Sequence, residues 1–534
     1  MNKKLYFPLI VLALLLGLPS LSLSHVGPSF LAQDGDEGHE ILFSIPVGDD
    51  GIHYAEDGPD MYRWGPAAIT VAPDGSFWIA DTAGNRLLHY DLKGVLLDKI
   101  SMEDLVVGAS DIEVTSREIW VLGEASQPPK IVHMALDGKN LGIYELPKGL
   151  HLEDGLSGIA LGEDNQVLIV RESDKLTQFL TADGKVDLEP LEGYVDGGKI
   201  YTAQLVDWQS GGTSHGFITA GDIRIEVNVT NELVGLRVLG THPDGSFFVI
   251  VDELVTIEGA LRVDQTVWHY NPFGELLGKA RVPLAEQYVN VAHGLAIGPD
   301  GAVYALITKP DHAEVQRLRF SPELKPILPV PPAEDAKDNT EPLGNALTTC
   351  RSRDTMMSTA SGYTSNYRYL NNTNINGSCS GRGKPRYLGS AGNYYSVSYD
   401  WGGFDAVSAW NNFMANNNQA GDIDTHGAEP CSKGVDCSGF VSRVWGLPEQ
   451  YGTCSLETIS TVISRSQLLR GDIMNRCYPI PRHVILFSSF SSDGKGMLGY
   501  ESTTHNERDR VAYTYRPWTG ISDYVPRKYN SVCP

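Results

Sequence analysis

Two kinds of hydrophobic pattern divide the chain. Up to about residue 320, apolar residues come in short alternating runs of strand length, set between turn residues, and the runs recur as a unit. Ala72-Pro73-Asp74-Gly75-Ser76-Phe77-Trp78-Ile79-Ala80-Asp81 returns as His242-Pro243-Asp244-Gly245-Ser246-Phe247-Phe248-Val249-Ile250 and as Gly298-Pro299-Asp300-Gly301-Ala302-Val303-Tyr304-Ala305-Leu306. Gly162-Glu163-Asp164-Asn165-Gln166-Val167-Leu168 is a weaker copy. Each copy reads strand, turn, strand: proline sets φ for the turn and glycine accepts the angle that closes it. A spacing of roughly 40–50 residues is the period of a propeller blade. Blades are expected near 65–100, 108–147, 155–192, 198–231, 234–283 and 289–320. Ile41-Leu42-Phe43-Ser44-Ile45-Pro46 has a strand's composition but no blade of its own, so it is expected to close the ring as the outer strand of the last blade. The count is six, or seven because the fourth unit is degenerate.

The stretch from Gly65 to Ile100, centred on Ile79-Ala80-Asp81-Thr82-Ala83-Gly84-Asn85-Arg86, resembles an NHL repeat. That resemblance implies an all-β six-bladed propeller over 41–320, a scaffold used for binding, assembly and occasionally lyase chemistry, so it does not fix a function. The histidines of this half show no metal spacing such as H-E-x-x-H, and neither a metal nor a cofactor is expected.

Past residue 320 the pattern changes. Six prolines between 321 and 345, set among charged residues, read as an extended linker. Beyond it the periods mix. Val407, Trp410, Phe413 and Met414 have helical spacing, as do Phe440, Val441, Val444 and Trp445, with Gly446 and Pro448 as stops. His483-Val484-Ile485-Leu486-Phe487 and Met497-Leu498-Gly499-Tyr500-Glu501 read as strands, so 346–534 is expected to be one α+β domain.

Charge and cysteine usage change at the same boundary. Residues 1–345 carry 24 Lys+Arg against 51 Asp+Glu, and 346–534 carry 18 against 15. So acidic a front half argues against nucleic acid as a partner. All seven cysteines follow residue 349. Lys3 and Lys4 precede an apolar run to Leu18 and small residues at Ser22-Leu23-Ser24, which predicts a signal peptide over 1–24 and a secreted or cell-envelope protein with no membrane span after cleavage. In that compartment six cysteines can form three disulfides, in any of 15 pairings, and leave one thiol.

Asp436-Cys437-Ser438-Gly439-Phe440-Val441 puts Cys437 on the first turn of its helix, where unsatisfied N–H groups and the helix dipole favour a thiolate. His483 opens a strand from which a ring can reach the helix end. Together Tyr399-Asp400-Trp401-Gly402-Gly403, Gly434-Val435-Asp436-Cys437-Ser438-Gly439-Phe440-Val441, Leu469-Arg470-Gly471-Asp472-Ile473 and Arg482-His483-Val484 resemble the NlpC-type cell-wall peptidase family over about 386–502. The resemblance implies a papain-like fold and thiol-dependent hydrolysis of amide bonds in peptidoglycan stem peptides. It makes Cys437 the nucleophile and His483 the general base and acid. It places Tyr399, Asp436 and Ser438 at the substrate or oxyanion side. Glu501 takes the third position, where the family usually has His, Asn or Gln, and His505 is the alternative. A further departure is the long stretch 404–435, which includes His426 and Cys431.

The expectation is a secreted cysteine hydrolase acting on cell-wall peptides, its propeller binding a ligand or protein that the sequence does not name. Two alternatives belong to other classes. One is an extracellular propeller binding protein with an inactive papain-like domain; the other is a lyase in the propeller.

Overall fold

The computed structural model describes residues 38–55, 64–150, 156–162, 165–171, 175–181, 183–187, 189–196, 199–206, 213–257, 260–330, 350–424, 428–477, 482–491 and 494–533. The expected signal peptide, most of the expected linker and His426 lie outside the described residues.

Residues 40–317 build six four-stranded antiparallel sheets. Five are formed by consecutive strands, over 68–101, 109–145, 156–192, 194–228 and 232–281. The sixth takes three strands from 295–317 and its outer strand from Glu40–Pro46, which pairs antiparallel with His312–Arg317. The N-terminal strand thus closes the ring as expected. Each sheet touches the next, and the inner strand of the sixth returns to that of the first. There Ile69 N donates to His293 O at 3.0 Å and His293 N to Ala67 O at 2.8 Å. The sheets are therefore the six blades of a β-propeller. Apolar clusters fill the seams between successive blades, for example Phe77, Ile79 and Leu88 against Leu306 and Val315. Among the described residues only the seam between blades three and four has no such cluster, and blade four is the degenerate unit.

The repeated turn shows why its residues recur. Gly75, Gly245 and Gly301 all have φ between 74° and 87°, and Asn165 holds the same left-handed angle (φ 59°) in the weaker copy. The aspartate before each of these three glycines accepts the backbone N–H two residues on: Asp74 from Ser76 at 2.9 Å, Asp244 from Ser246 at 2.8 Å, Asp300 from Ala302 at 3.1 Å.

Among the described residues the C-terminal region has four helices and a large sheet. The helices are α1 (Arg353–Thr364), α2 (Asn372–Asn376), α3 (Val407–Ala415) and α4 (Cys437–Trp445). Six strands order as Ser460–Val462, Val525–Tyr529, Ile473–Arg476, His483–Phe490, Gly496–Thr503 and Arg510–Pro517. α4 packs on the fourth and fifth of these and on α1, around a core of Tyr363, Trp410, Phe440, Trp445 and Tyr529. Disulfides join Cys350 to Cys533, Cys379 to Cys431 and Cys454 to Cys477, and Cys437 takes part in none of them. That matches the expected three bridges and single thiol and fits an extracellular protein. No helix among the described residues is long and apolar enough to cross a membrane.

The two halves share a core. Val234 and Val263 of blade five are buried in one cluster with Met474, Ile485, Phe487, Met497, Trp518 and Tyr524. Arg465 pairs with Glu232 above it. Residues 321–330 run along the same blade: Asn231 Nδ2 donates to Ile327 O at 2.9 Å and Arg281 Nη2 to Lys325 O at 2.6 Å. Residues 39–534 accordingly form one compact unit.

Candidate active site at the start of helix α4

Asp436 caps α4. Its Oδ1 accepts from Gly439 N at 2.6 Å and from Ser438 Oγ at 3.0 Å, and its Oδ2 from Gly402 N at 3.1 Å and Gln450 Nε2 at 2.7 Å. The carboxylate that starts the helix therefore also fixes the Gly402-Gly403 turn against it. A Cβ at Gly439 would lie 2.0 Å from Gly403 O, so only glycine permits this approach. Asp436 and Ser438 are thus engaged with each other and with the helix start. Cys437 follows as the first helical residue, 1% exposed, with its Sγ 3.9 Å from Thr453 Oγ1. Thr453 belongs to a segment tied to strand Ile473–Arg476, by Asn475 Nδ2 on Thr453 O (3.2 Å) and by the Cys454–Cys477 disulfide.

His483 and Glu501 lie on adjacent antiparallel strands beneath α4. His483 Nε2 is 2.8 Å from Glu501 Oε2. An ionised carboxylate only accepts, so Nε2 carries the hydrogen and Nδ1 is the basic nitrogen. The Glu501 side chain is fully enclosed; Oε1 accepts from Thr514 Oγ1 at 2.6 Å and Arg516 Nε at 2.7 Å, and Oε2 from Arg516 Nη2 at 2.9 Å. Burial pushes the Glu501 carboxyl up, but Arg516 and His483 outweigh it and hold it well below the usual range. Burial also dominates at His483, holding the imidazole below its ordinary value against the upward pull of Glu501. A neutral His483 acting as base is the state this favours, where the carboxylate alone predicts a raised value. His505 is buried in the same cluster, and burial with Arg516 and Arg508 holds it far below the ordinary imidazole range.

Tyr399 is 2% exposed and reaches the site through its backbone. It bridges Val435, the residue before the cap, and its N–H donates to Asp509 O at 2.8 Å. Ser502 Oγ, next to Glu501, donates to Val435 O at 2.7 Å. The strand of Glu501, the Tyr399 segment and the entry to α4 thereby meet at one residue. Within 404–435, Trp410 of α3 donates to Lys433 O at 3.0 Å, which keeps this stretch folded against the same entry. Cys379, Glu429 and Cys431 have ligand atoms within 4.8 Å of one another, but the two sulfurs are joined to each other and do not form a metal site.

Sequence reasoning missed Arg516, Thr453 and, His505 apart, the loop 504–509. Arg516 had a faint signal, since Thr514 and Arg516 share one face of a strand by alternation; the other two had none. Away from the thiol, a cavity of about 500 Å³ lies among the inner strands of the propeller, with Asp111, Glu113, Arg237 and His293 on its wall and Pro517 and Thr519 at one side.

One family profile, described as a domain of unknown function (DUF7485), matches residues 37–113, which span the closing strand, blade one and the start of blade two. No curated protein matches the chain. Among solved structures, virginiamycin B lyase from Staphylococcus aureus is 14% identical and covers 48% of this chain and 95% of its own, at a TM-score of 0.29. Hydrazine synthase from Kuenenia stuttgartiensis is 15% identical and covers 48% and 76%, at 0.32. A putative exported protein from Bacteroides fragilis is 9% identical and covers 54% and 97%, at 0.32. Scores this low carry no argument about activity, and the propeller assignment rests on the strand pairing described above.

Proposed function

We propose that the chain is an exported cysteine hydrolase of the NlpC type, its C-terminal region a papain-like α+β domain that cleaves amide bonds in peptidoglycan stem peptides. The observation that carries this reading is the His483–Glu501 hydrogen bond at 2.8 Å, on strands that pack under a helix beginning with the one cysteine outside the three disulfides. Glu501 fixes the tautomer, and Nδ1 of His483 takes the proton from Cys437 as sulfur attacks the carbonyl carbon. Backbone N–H groups at the start of α4, that of Cys437 among them, are the donors for the oxyanion. The protonated imidazole then returns its proton to the leaving amine, and water releases the acyl group from sulfur. The choice of stem peptide rests on the motif resemblance alone. The propeller is the binding or positioning partner of this centre.

A second reading has its own observation. Cys437 and His483 are 1% and 2% exposed, and a cavity of about 500 Å³ lies in the propeller, which suits an extracellular binding protein with a silent second domain. One experiment separates the two. Purified peptidoglycan is digested with the full-length protein, with and without iodoacetamide, beside Cys437→Ala. Hydrolysis that disappears in both treatments while the melting temperature holds supports the hydrolase. Unchanged fragment release by Cys437→Ala, or no alkylation of Cys437 in the native protein, sinks it.

A further inference from the structure

The hairpin that carries Glu501 continues into a loop, 504–509, before the last-paired strand begins at Arg510. The loop is unusual in two ways. Asn506, Glu507 and Asp509 are all left-handed (φ 50°, 60° and 47°), a conformation that costs energy without glycine. And every residue from 505 to 510 is buried although most are charged. What covers the loop is the propeller. Glu124, directly after strand Glu118–Gly123 of blade two, accepts from Asn506 Nδ2 at 2.8 Å and from Arg508 Nη2 at 3.0 Å on the same oxygen, Oε1. Gly108 lies against the loop so closely that a Cβ there would be 3.0 Å from Asn506 O.

The contact leads back to the reactive centre. Arg508 Nη1 is 4.0 Å from Glu501 Oε1, and Glu501 holds His483. Glu124, Arg508, Glu501 and His483 form one chain of buried groups, with side-chain exposures of 8%, 5%, 0% and 3%. On the other side the loop reaches Tyr399, whose N–H bonds Asp509 O, and Arg386 clamps the Asp509 carboxylate at 2.6 and 2.9 Å while lying over the ring of Trp64. Charge explains the need for Glu124. Arg508 and Arg516 bring two positive charges to one carboxylate, Glu501, and the second negative charge of the cluster comes from the propeller. Without it a neutral His483 would face a net positive environment, because Arg476, also near the ring, already has its partner in Asp523 at 2.9 Å. His505 is held uncharged by burial and adds nothing to the balance, and Tyr524 meets the imidazole only with its ring.

We propose that Glu124 of the propeller is a positioning residue for the Cys437–His483 centre, acting through Arg508 on Glu501. It rests on the reading of that pair as reactive. The propeller is on this account a structural part of the active centre and not a module that only brings it to its substrate.

The test uses the full chain with its disulfides intact and follows the rate of Cys437 alkylation by iodoacetamide against pH. Glu124→Gln keeps an acceptor but removes the charge, and should move the apparent pKa values of the pair to lower pH by about half a unit. Arg508→Met removes the opposite charge and should move them upward. The double variant should return close to the wild-type curve, and Glu124→Asp should stay near it. Opposite shifts that cancel cannot come from a merely structural role, and they remain readable in Arg508→Met and the double variant if Glu124→Gln folds poorly. Curves for Glu124→Gln and Arg508→Met that overlay the wild type, or move in the same direction, overturn the proposal while leaving Cys437 reactive. If wild-type Cys437 does not react, the hydrolase reading and this proposal fall together.

Discussion

The propeller and the C-terminal region satisfy their polar groups over different distances. In the propeller, the aspartate of each repeated turn bonds a residue two positions away, and five of the six blades are runs of consecutive strands. In the C-terminal region the decisive bonds span the chain: His483 to Glu501 crosses 18 residues, Arg386 to Asp509 crosses 123, and Arg508 to Glu124 crosses 384. Locally closed units can be repeated and tolerate a poor copy, as blade four shows. A centre built from distant segments depends on everything that holds those segments, the neighbouring propeller included.

The largest test of this difference is the shared core. Trp518 is 3% exposed, donates to Gly494 O at 2.7 Å and packs in the cluster that joins blade five to the large sheet. Trp518→Ala should cost ~3–5 kcal/mol, as large-to-small changes of buried aromatics do. Because the cluster belongs to both halves, calorimetry should show the wild type unfolding in one transition and the variant's transition at lower temperature. Two wild-type transitions, only one of them moved by the substitution, would show the halves to be independent after all.

A smaller effect is expected within the centre itself. Glu501→Gln retains an acceptor for His483 but removes the charge shared with Arg516 and Arg508. Loss of a negative charge lowers the pKa of the imidazole, so the pH–rate profile should move to lower pH, and further than in Glu124→Gln because Glu501 touches the ring. Glu501→Ala, with nothing to fix the tautomer, should lose about ten- to a thousandfold in rate. A wild-type rate in Glu501→Ala with failure of His505→Ala would give the orienting role to His505.

The same contrast decides what the sequence could reveal. The blades are readable because the Pro-Asp-Gly turn imposes its residues locally: Gly75, Gly245 and Gly301 are required by positive φ and Asp74, Asp244 and Asp300 by the N–H they cap. Cys437 at a helix start and the stop at Gly446 (φ 75°) are local in the same sense. Pairing of Glu501 with His483 was reachable from the hairpin between them. Arg516 as its second partner was not, because a strand arginine that pairs internally looks the same in sequence as one that faces water. The interface had no signal at all. Glu124 sits in a turn-like stretch, Arg508 in a charged loop that reads as solvent-exposed, and only the fold shows both to be buried. The net downward shift at His483 was equally hidden, since it comes from burial.

Glu507 offers the finest test of how tightly the halves are joined. Its carboxyl lies on the same loop against the Gly108 N–H of the propeller, 7% exposed, and burial pushes it up to about 7, with Arg386 pulling it down and Asp509 up. A carboxyl raised in the folded state keeps its proton where the unfolded chain has already lost one. Stability from this group is therefore complete below about pH 4.5 and declines as pH rises, levelling off above about pH 7. The buried imidazoles of His483 and His505 have the opposite slope, because their lowered values cost stability as pH falls below about 6.5. The wild-type curve mixes both, so the informative quantity is the difference between wild type and Glu507→Gln. It should be small near pH 4.5, grow in favour of the variant through pH 6, and level off near pH 7.5 at about 1–3 kcal/mol. Denaturant melts at four or five pH values measure it directly. A difference that does not change with pH would mean that Glu507 ionises as freely as on a surface, and that water reaches the seam between the propeller and the reactive centre.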